Sequence, residues 1–230
     1  MRLEYALPKA STVLLLFAHP DDETMFFSPT ILALLRESCR VCVLCLSTGN
    51  FEGLGDLRQE ELRDACAILG IEPGDVSILD DPDLQDGPHA QWPPELIASK
   101  VAAQASKVKA DMIITFDAQG VSHHPNHIAV WRGAVSYLQK VIDSTAANSL
   151  PSVMVYALQS SSMWRKFCGP LDIPLSLYQT KLGKVQACYI SKQPLTAIEA
   201  LKAHKSQYVW YRMLYIRISR YTYVNTLIRL

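Results

Sequence analysis

Residues 18–23, Ala-His19-Pro20-Asp21-Asp22-Glu23, set one imidazole beside three carboxylates. They follow Val13-Leu14-Leu15-Leu16-Phe17, an apolar run that reads as a buried strand. In α/β folds the carboxyl ends of strands carry the active site. Charges gathered there are costly to bury without a compensating partner, and a divalent metal is such a partner. His19 and Asp22 are three residues apart, so a helical turn starting at Pro20 faces both toward one point and sends Asp21 elsewhere. The amides of that turn would stabilise the carboxylates. Two ligands do not complete a catalytic metal site, which usually has three protein ligands and an open position for water.

A second cluster supplies the third. Ile113-Ile-Thr-Phe-Asp117 reads as another strand, followed by Gly120-Val-Ser-His123-His124-Pro125-Asn126-His127. In a parallel sheet both loops lie on one edge and can meet. His19, Asp22 and one histidine from 123–127 would form a His₂Asp site suited to Zn²⁺, with other divalent metals also compatible. Each cluster alone has a plain structural reading: an acidic helix N-terminus in one case, structural loop histidines in the other. Their coincidence on one predicted edge is what favours chemistry.

The elements that must position these loops alternate along the chain. Apolar runs at 12–18, 41–47, 75–79, 112–117 and 152–158 are rich in Val, Ile and Leu, as central parallel strands are. Helical patterns lie between them near 24–38, 57–69, 94–109 and 127–142, with Ser28-Pro29 as a start or kink in the first. This alternation predicts an α/β fold: a three-layer, Rossmann-like sandwich with a mostly parallel sheet and right-handed crossovers. Gly-rich dinucleotide and P-loop fingerprints are absent from the sequence. From about 159 the pattern becomes irregular and partly helical, with an edge strand expected over 183–190 and a helix starting at Pro194. The division expected is a catalytic domain over 1–193 and a basic, aromatic C-terminal helical segment over 194–230.

The chain has 230 residues and zero formal net charge, which argues against general nucleic-acid binding. The charge is uneven: residues 194–230 carry six basic residues and one acid, a net +5, and the rest carries −5. Cys42 and Cys45 have CxxC spacing but sit inside an apolar run, where i and i+3 point to opposite faces of a strand, so buried thiols are expected. No apolar run reaches the roughly 18 residues of a membrane span.

Here the chain resembles a known family. Ala18-His-Pro-Asp-Asp-Glu23 with His124-Pro-Asn-His127 is similar to the zinc-dependent de-N-acetylase superfamily. Ser47-Thr-Gly-Asn50, Arg58-Gln-Glu-Glu61-Leu62, Thr115 to Ser122, Leu158-Gln-Ser160, Leu171-Asp-Ile-Pro-Leu175, His204-Lys-Ser-Gln207 and Trp210-Tyr-Arg212 narrow the resemblance to one branch. That branch is the N-acetylglucosaminyl-phosphatidylinositol (GlcNAc-PI) de-N-acetylases of glycosylphosphatidylinositol (GPI) anchor synthesis.

The resemblance implies that His19, Asp22 and His127 hold zinc, that Asp21 is the general base and that His124 polarises the amide carbonyl. It also implies Arg58 and Asn50 as substrate-binding residues. Bacterial relatives often carry Asp at the position of Asn126, which leaves Asp117 as the candidate for orienting His124. Glu23 is expected to support its loop through hydrogen bonds. The implied location is the cytoplasmic face of the endoplasmic reticulum membrane. Eukaryotic members usually carry a transmembrane helix before the first strand; the dozen residues here hold no such helix, so the chain is expected to be either a truncated form or a member held on the membrane otherwise. Peripheral contact through the aromatic, basic segment 208–230 is therefore expected. Two other readings share the sequence: a de-N-acetylase of a soluble GlcNAc conjugate, and a non-catalytic scaffold in a membrane complex.

Overall fold

Strand β1 (Thr12–Phe17) sends Val13, Leu15 and Phe17 to one face of the sheet and Leu14 and Leu16 to the other, and all five are buried. Such a strand must be central and covered on both sides. The computed structural model, which describes residues 7–87, 90–145 and 153–230, shows this arrangement. β2 (Arg40–Cys45) and β4 (Met112–Phe116) alternate in the same way. With β3 (Val76–Ile78) and β5 (Met154–Leu158) they make five parallel strands. Cys42 and Cys45 fall in opposite cores, as buried free thiols.

Helices α1 (Ser28–Arg36) and α2 (Gly55–Leu69) cover one face, through Ile31 and Leu34 of the first and Leu62, Ala65 and Leu69 of the second. Helices α3 (Pro94–Val108) and α5 (Pro125–Thr145) cover the other, with the single turn α4 (Gly120–His123) leading into α5. A π-helical turn over Glu23–Phe27 precedes α1, so the helix changes character at Ser28-Pro29. α3 and α5 approach closely at Gly133, where a Cβ would stand 2.3 Å from Cγ2 of Ile97.

The strand order is β3-β2-β1-β4-β5-β7-β6. β1 and β4 are neighbours, with Leu14 opposite Ile113. The chain winds outward from β1 in one direction and from β4 in the other, so the sheet reverses between them, which is where doubly wound folds open a crevice. His19 to Glu23 leave β1 and His123 to His127 follow β4, so both clusters enter that crevice. The α/β sandwich and its mostly parallel sheet agree with the sequence reading.

The tail differs from it. After the cap formed by α6 (Met163–Lys166) and α7 (Ile173–Lys181), β6 (Ala187–Ile190) forms the expected edge strand. Helices α8 (Pro194–Ala203) and α9 (Trp210–Ile218) follow, but Val224–Arg229 form a strand, β7, inserted antiparallel between β5 and β6. The segment 194–230 is therefore not wholly helical, and the sheet does not divide at residue 194. Val224, Thr226 and Ile228 are β-branched and suit a strand. Asn225 anchors it: its side-chain oxygen accepts from Thr30 N and Oγ1, and its amide nitrogen donates to Phe26 O. Ser152 at the expected start of β5, and residues 1–6 of the segment ahead of β1, lie outside the described residues.

The close approach at Gly133 gives a stability test. In Gly133→Ala the clash with Ile97 costs about 3 kcal/mol against about 1 kcal/mol of helical propensity gained. Urea denaturation should show a net loss of about 2 kcal/mol; an unchanged midpoint would contradict the helix spacing described here.

Candidate active site

The loop after β1 is wound around Asp22. Its Oδ2 accepts from the backbone amides of Ala18 (3.0 Å) and His19 (2.9 Å), which fixes the carboxylate and leaves Oδ1 facing Nε2 of His127 at 3.1 Å. Burial works against the charge on Asp22, but His127 and then His19 outweigh it and hold the carboxyl well below its usual range. His127 is itself fixed from behind. Its Nδ1 lies 3.0 Å from Gly120 O and its ring stacks on Phe116 at 4.1 Å between centroids. Gly120 has φ +56, and a Cβ there would meet the His127 Cβ at 2.7 Å, so the carbonyl can approach the ring only if this residue is glycine.

His19 and His124 complete the group. One ring nitrogen from each of His19, His124 and His127 lies within 4.8 Å of the others. Nε2 of His19 sits 2.9 Å from Asn126 Nδ2 and 3.1 Å from Asp86 Oδ1. Nδ1 of His124 accepts from the backbone amide of Asn126 (3.3 Å), so in the neutral ring the proton resides on Nε2. Burial, with His127 and His19 nearby, pushes His124 down to about 4, and its ring is therefore neutral at physiological pH. Imidazoles with a carboxylate, buried and braced by outer hydrogen bonds, are a donor set that fits a divalent metal.

Asp21 faces elsewhere. Its φ of +119 is unusual for a non-glycine residue and turns it out of line with Asp22. Its carboxylate forms an ion pair with Arg212 of α9, and Nη2 of Arg58 stands 3.6 Å away. Arg58 is held by its own donations to Gly49 O (2.8 Å) and Pro20 O (2.7 Å). A second strained backbone occurs opposite, at Val121 with φ +62. Strain of this kind costs about 1–3 kcal/mol per residue and clusters at functional sites.

Glu23 is fully buried beneath this floor. It accepts from Asp21 N (3.1 Å) and Thr24 Oγ1 (2.6 Å), and its Oε1 lies 2.7 Å from Nε2 of His204. The loop support expected of Glu23 is present, with a partner 181 residues away that the spacing did not reveal. Ser206, two residues past His204, donates twice to Glu61 of α2.

His19, Asp21, Asp22, Arg58, His124 and His127 thus line one pocket. Asn50 is not brought in: it is exposed and its Oδ1 accepts from Gly55 N at the start of α2 (2.8 Å). Asp117 does not orient His124. Its two oxygens are taken up by Gln119 N, Gly120 N, Ser160 N and Ser160 Oγ, so it shapes the loop instead. Asn126 does that orienting through its backbone, which is indifferent to Asn or Asp there. Asp86 and Arg212, which also line the pocket, had no role in the sequence reading. Asp86 follows β3 and so lies on the same sheet edge, a placement the strand pattern already implied. Arg212 carried only the signal of its motif, Trp210-Tyr-Arg212.

Comparisons with known proteins show the family and the fold. Residues 14–138 match the family model PIG-L, described as GlcNAc-PI de-N-acetylase. The chain is 40% identical over 95% of its length to the probable N-acetylglucosaminyl-phosphatidylinositol de-N-acetylase of Schizosaccharomyces pombe, covering 86% of that protein. It is 38% identical over 94% of its length to the corresponding Bos taurus enzyme, covering 83% of it. Its fold superimposes on the N,N'-diacetylchitobiose deacetylase of Pyrococcus horikoshii with a TM-score of 0.67 at 15% identity, spanning 96% of this chain and 84% of that one.

The His204–Glu23 pair has a defined pH signature. Burial opposes the charge on His204, but Glu23, then Asp21 and Glu61, raise it above its ordinary value. Its contribution is therefore full below the unfolded value of about 6.5 and is lost as pH rises through the folded one. His204→Gln, which removes the charge and keeps the volume, should cost about 2 kcal/mol near pH 6. Urea denaturation at rising pH should show that gap narrowing; a gap that widens would contradict the pairing.

Proposed function

The chain belongs to the GlcNAc-PI de-N-acetylase family, and from that premise we propose how it acts. It hydrolyses the acetamide of N-acetylglucosaminyl-phosphatidylinositol, releasing acetate and leaving glucosaminyl-phosphatidylinositol, an early step of GPI-anchor biosynthesis. One observation carries the assignment of roles: Asp21 and Asp22, adjacent in sequence, occupy opposed environments on one pocket wall. Asp22 is locked between backbone amides and His127, the setting of a ligand. Asp21 is turned into the pocket between two guanidiniums, the setting of a group that meets substrate.

His19, Asp22 and His127 would hold the metal, for which this donor set suits Zn²⁺. Such an ion, when bound, acidifies its water toward a pKa of about 7 and polarises a carbonyl. Asp21 takes the proton from the attacking water, its direction fixed by Arg212 and Arg58. Neutral His124 presents its Nε2 proton to the carbonyl oxygen as negative charge develops there, a kind of contact worth about 3–4 kcal/mol. The proton on Asp21 passes to the departing glucosamine nitrogen as the C–N bond breaks. Arg58 also borders the outer pocket with Asp86, in reach of sugar hydroxyls or phosphate. A lipid substrate places the enzyme at a membrane, on the cytoplasmic face of the endoplasmic reticulum for this pathway. Exposed Trp210 and Tyr211 near the pocket mouth support peripheral contact through the C-terminal segment. That support is narrower than the sequence implied, because Tyr221 of the same aromatic run is fully buried.

Acetate release from GlcNAc-PI tests the base. Asp21→Asn should lower kcat by at least about 100-fold; full activity would remove Asp21 from the role. Elemental analysis tests the ligands: His19→Ala should lose the metal that the parent chain retains after dialysis. Equal rates on a soluble GlcNAc conjugate would overturn the lipid assignment.

A further inference from the structure

Helix α7 is built inside out. Leu171 on the turn ahead of it, Leu175 and Tyr178 within it and Leu182 just past its end recur at the spacing of one helical face, and all four are exposed, Leu171 at 81%. The opposite face is polar and buried: Asp172, Ser176 and Thr180. Beneath it Asp172 receives Arg165 (2.6 and 2.9 Å), Ser176 Oγ (2.7 Å) and the fully buried Arg220, whose Nε is 2.7 Å away. A helix on a protein surface ordinarily shows the reverse polarity.

The apolar face continues onto neighbouring elements. Trp164 of α6 is 87% exposed. The Phe167 ring meets Tyr215 of α9 at 6.1 Å, and α9 packs on the turn that carries Leu171. On α9 itself, Trp210, Leu214 and Ile218 share one face and are exposed. α9 also supplies Arg212 to the site and, with Tyr211, lines the outer pocket beside it, so this surface borders the entrance.

We propose that the outward faces of α7 and α9 together dock on an anionic lipid surface. The choice of occupant rests on charge. Residues 153–230 contain eleven basic residues and two acids, and both acids are engaged, Asp172 as above and Glu199 with Lys202 at 2.8 Å. Residues 1–152 hold eleven basic and twenty acidic residues, so the apolar faces lie on the positive part of a polarised molecule. Lys181, Lys184, Lys205 and Arg217 flank them in solvent. A second copy meeting the same face about a two-fold axis would set positive against positive. Anionic headgroups are complementary to the lysines, and the apolar stripe with its Trp and Tyr matches the acyl boundary. This deepens the reading above by placing the cap α6–α7 on the membrane, and it borrows from that reading only the expectation that a membrane is near.

Flotation of the full chain with phosphatidylcholine vesicles, with and without phosphatidylserine, tests it. The parent chain should float with the anionic vesicles. Leu171→Ser/Leu175→Ser should weaken binding at least about tenfold while leaving acetate release from detergent-dispersed GlcNAc-PI unchanged. Lys181→Glu/Lys184→Glu should weaken binding to the anionic vesicles alone. A parent chain that does not float, or variants that float like it, would overturn the proposal. So would a dimer in sedimentation that the leucine variants dissolve, since the face would then be a protein interface. Loss of acetate release in the parent chain with flotation intact would overturn the catalytic reading and leave this one standing.

Discussion

Three consecutive buried carboxylates are a severe constraint on a fold, because each must find a partner or give up its charge. Asp21, Asp22 and Glu23 leave a central strand into the interior, and His19, the basic side chain nearest in sequence, serves Asp22. Asp22 draws on two amides of its own loop and on His127 from the far side of the crevice. Asp21 draws on Arg212 and Glu23 on His204, both from the C-terminal region. The acidic loop thus ties β1, the β4 loop and the tail into one body. The return of the tail across the sheet, ending in β7, keeps those two partners in reach.

The division of labour between adjacent aspartates follows from backbone geometry. The left-handed conformation at Asp21 separates them, and Glu23 accepting from Asp21 N helps to hold that conformation. Strain in the facing loop at Val121 accompanies the approach of Gly120 to His127. Asp21 and Val121, with His123 at φ +58, flank the crevice where the sheet reverses and the polar groups must be aimed.

Much of this was legible in the chain. Doubly apolar strands declare a covered parallel sheet, and loops after β1 and β4 must then share an edge, so the meeting of His19 and Asp22 with a histidine of 123–127 needed only topology, while the family resemblance singled out His127. What sequence concealed were partners chosen by tertiary structure. Asp86 sits in an acidic, turn-rich loop that resembles ordinary solvated surface. Asp117 ends a strand as a ligand would, yet two neighbouring backbone amides and Ser160 claim it. β7 was hidden because its aromatic and basic surroundings suggested a helix, while its strand character depends on β5 and β6 offering edges on both sides. Asn50 has the composition of a contact residue, but a helix start a few residues away takes its oxygen.

The position of β7 also sets an order of assembly. Among the described strands β6 pairs only with β7, and β5 has no neighbour on that side until β7 arrives. A chain emerging from the ribosome can lay down β1 to β5 and pack both helical layers, but it carries an open edge until β7 is made, and Glu23 and Asp21 await His204 and Arg212. His204 and Arg212 come just before them. The site therefore matures after the five parallel strands, and a nascent chain stalled short of residue 224 would hold the residues proposed to bind metal without the completed sheet behind their support.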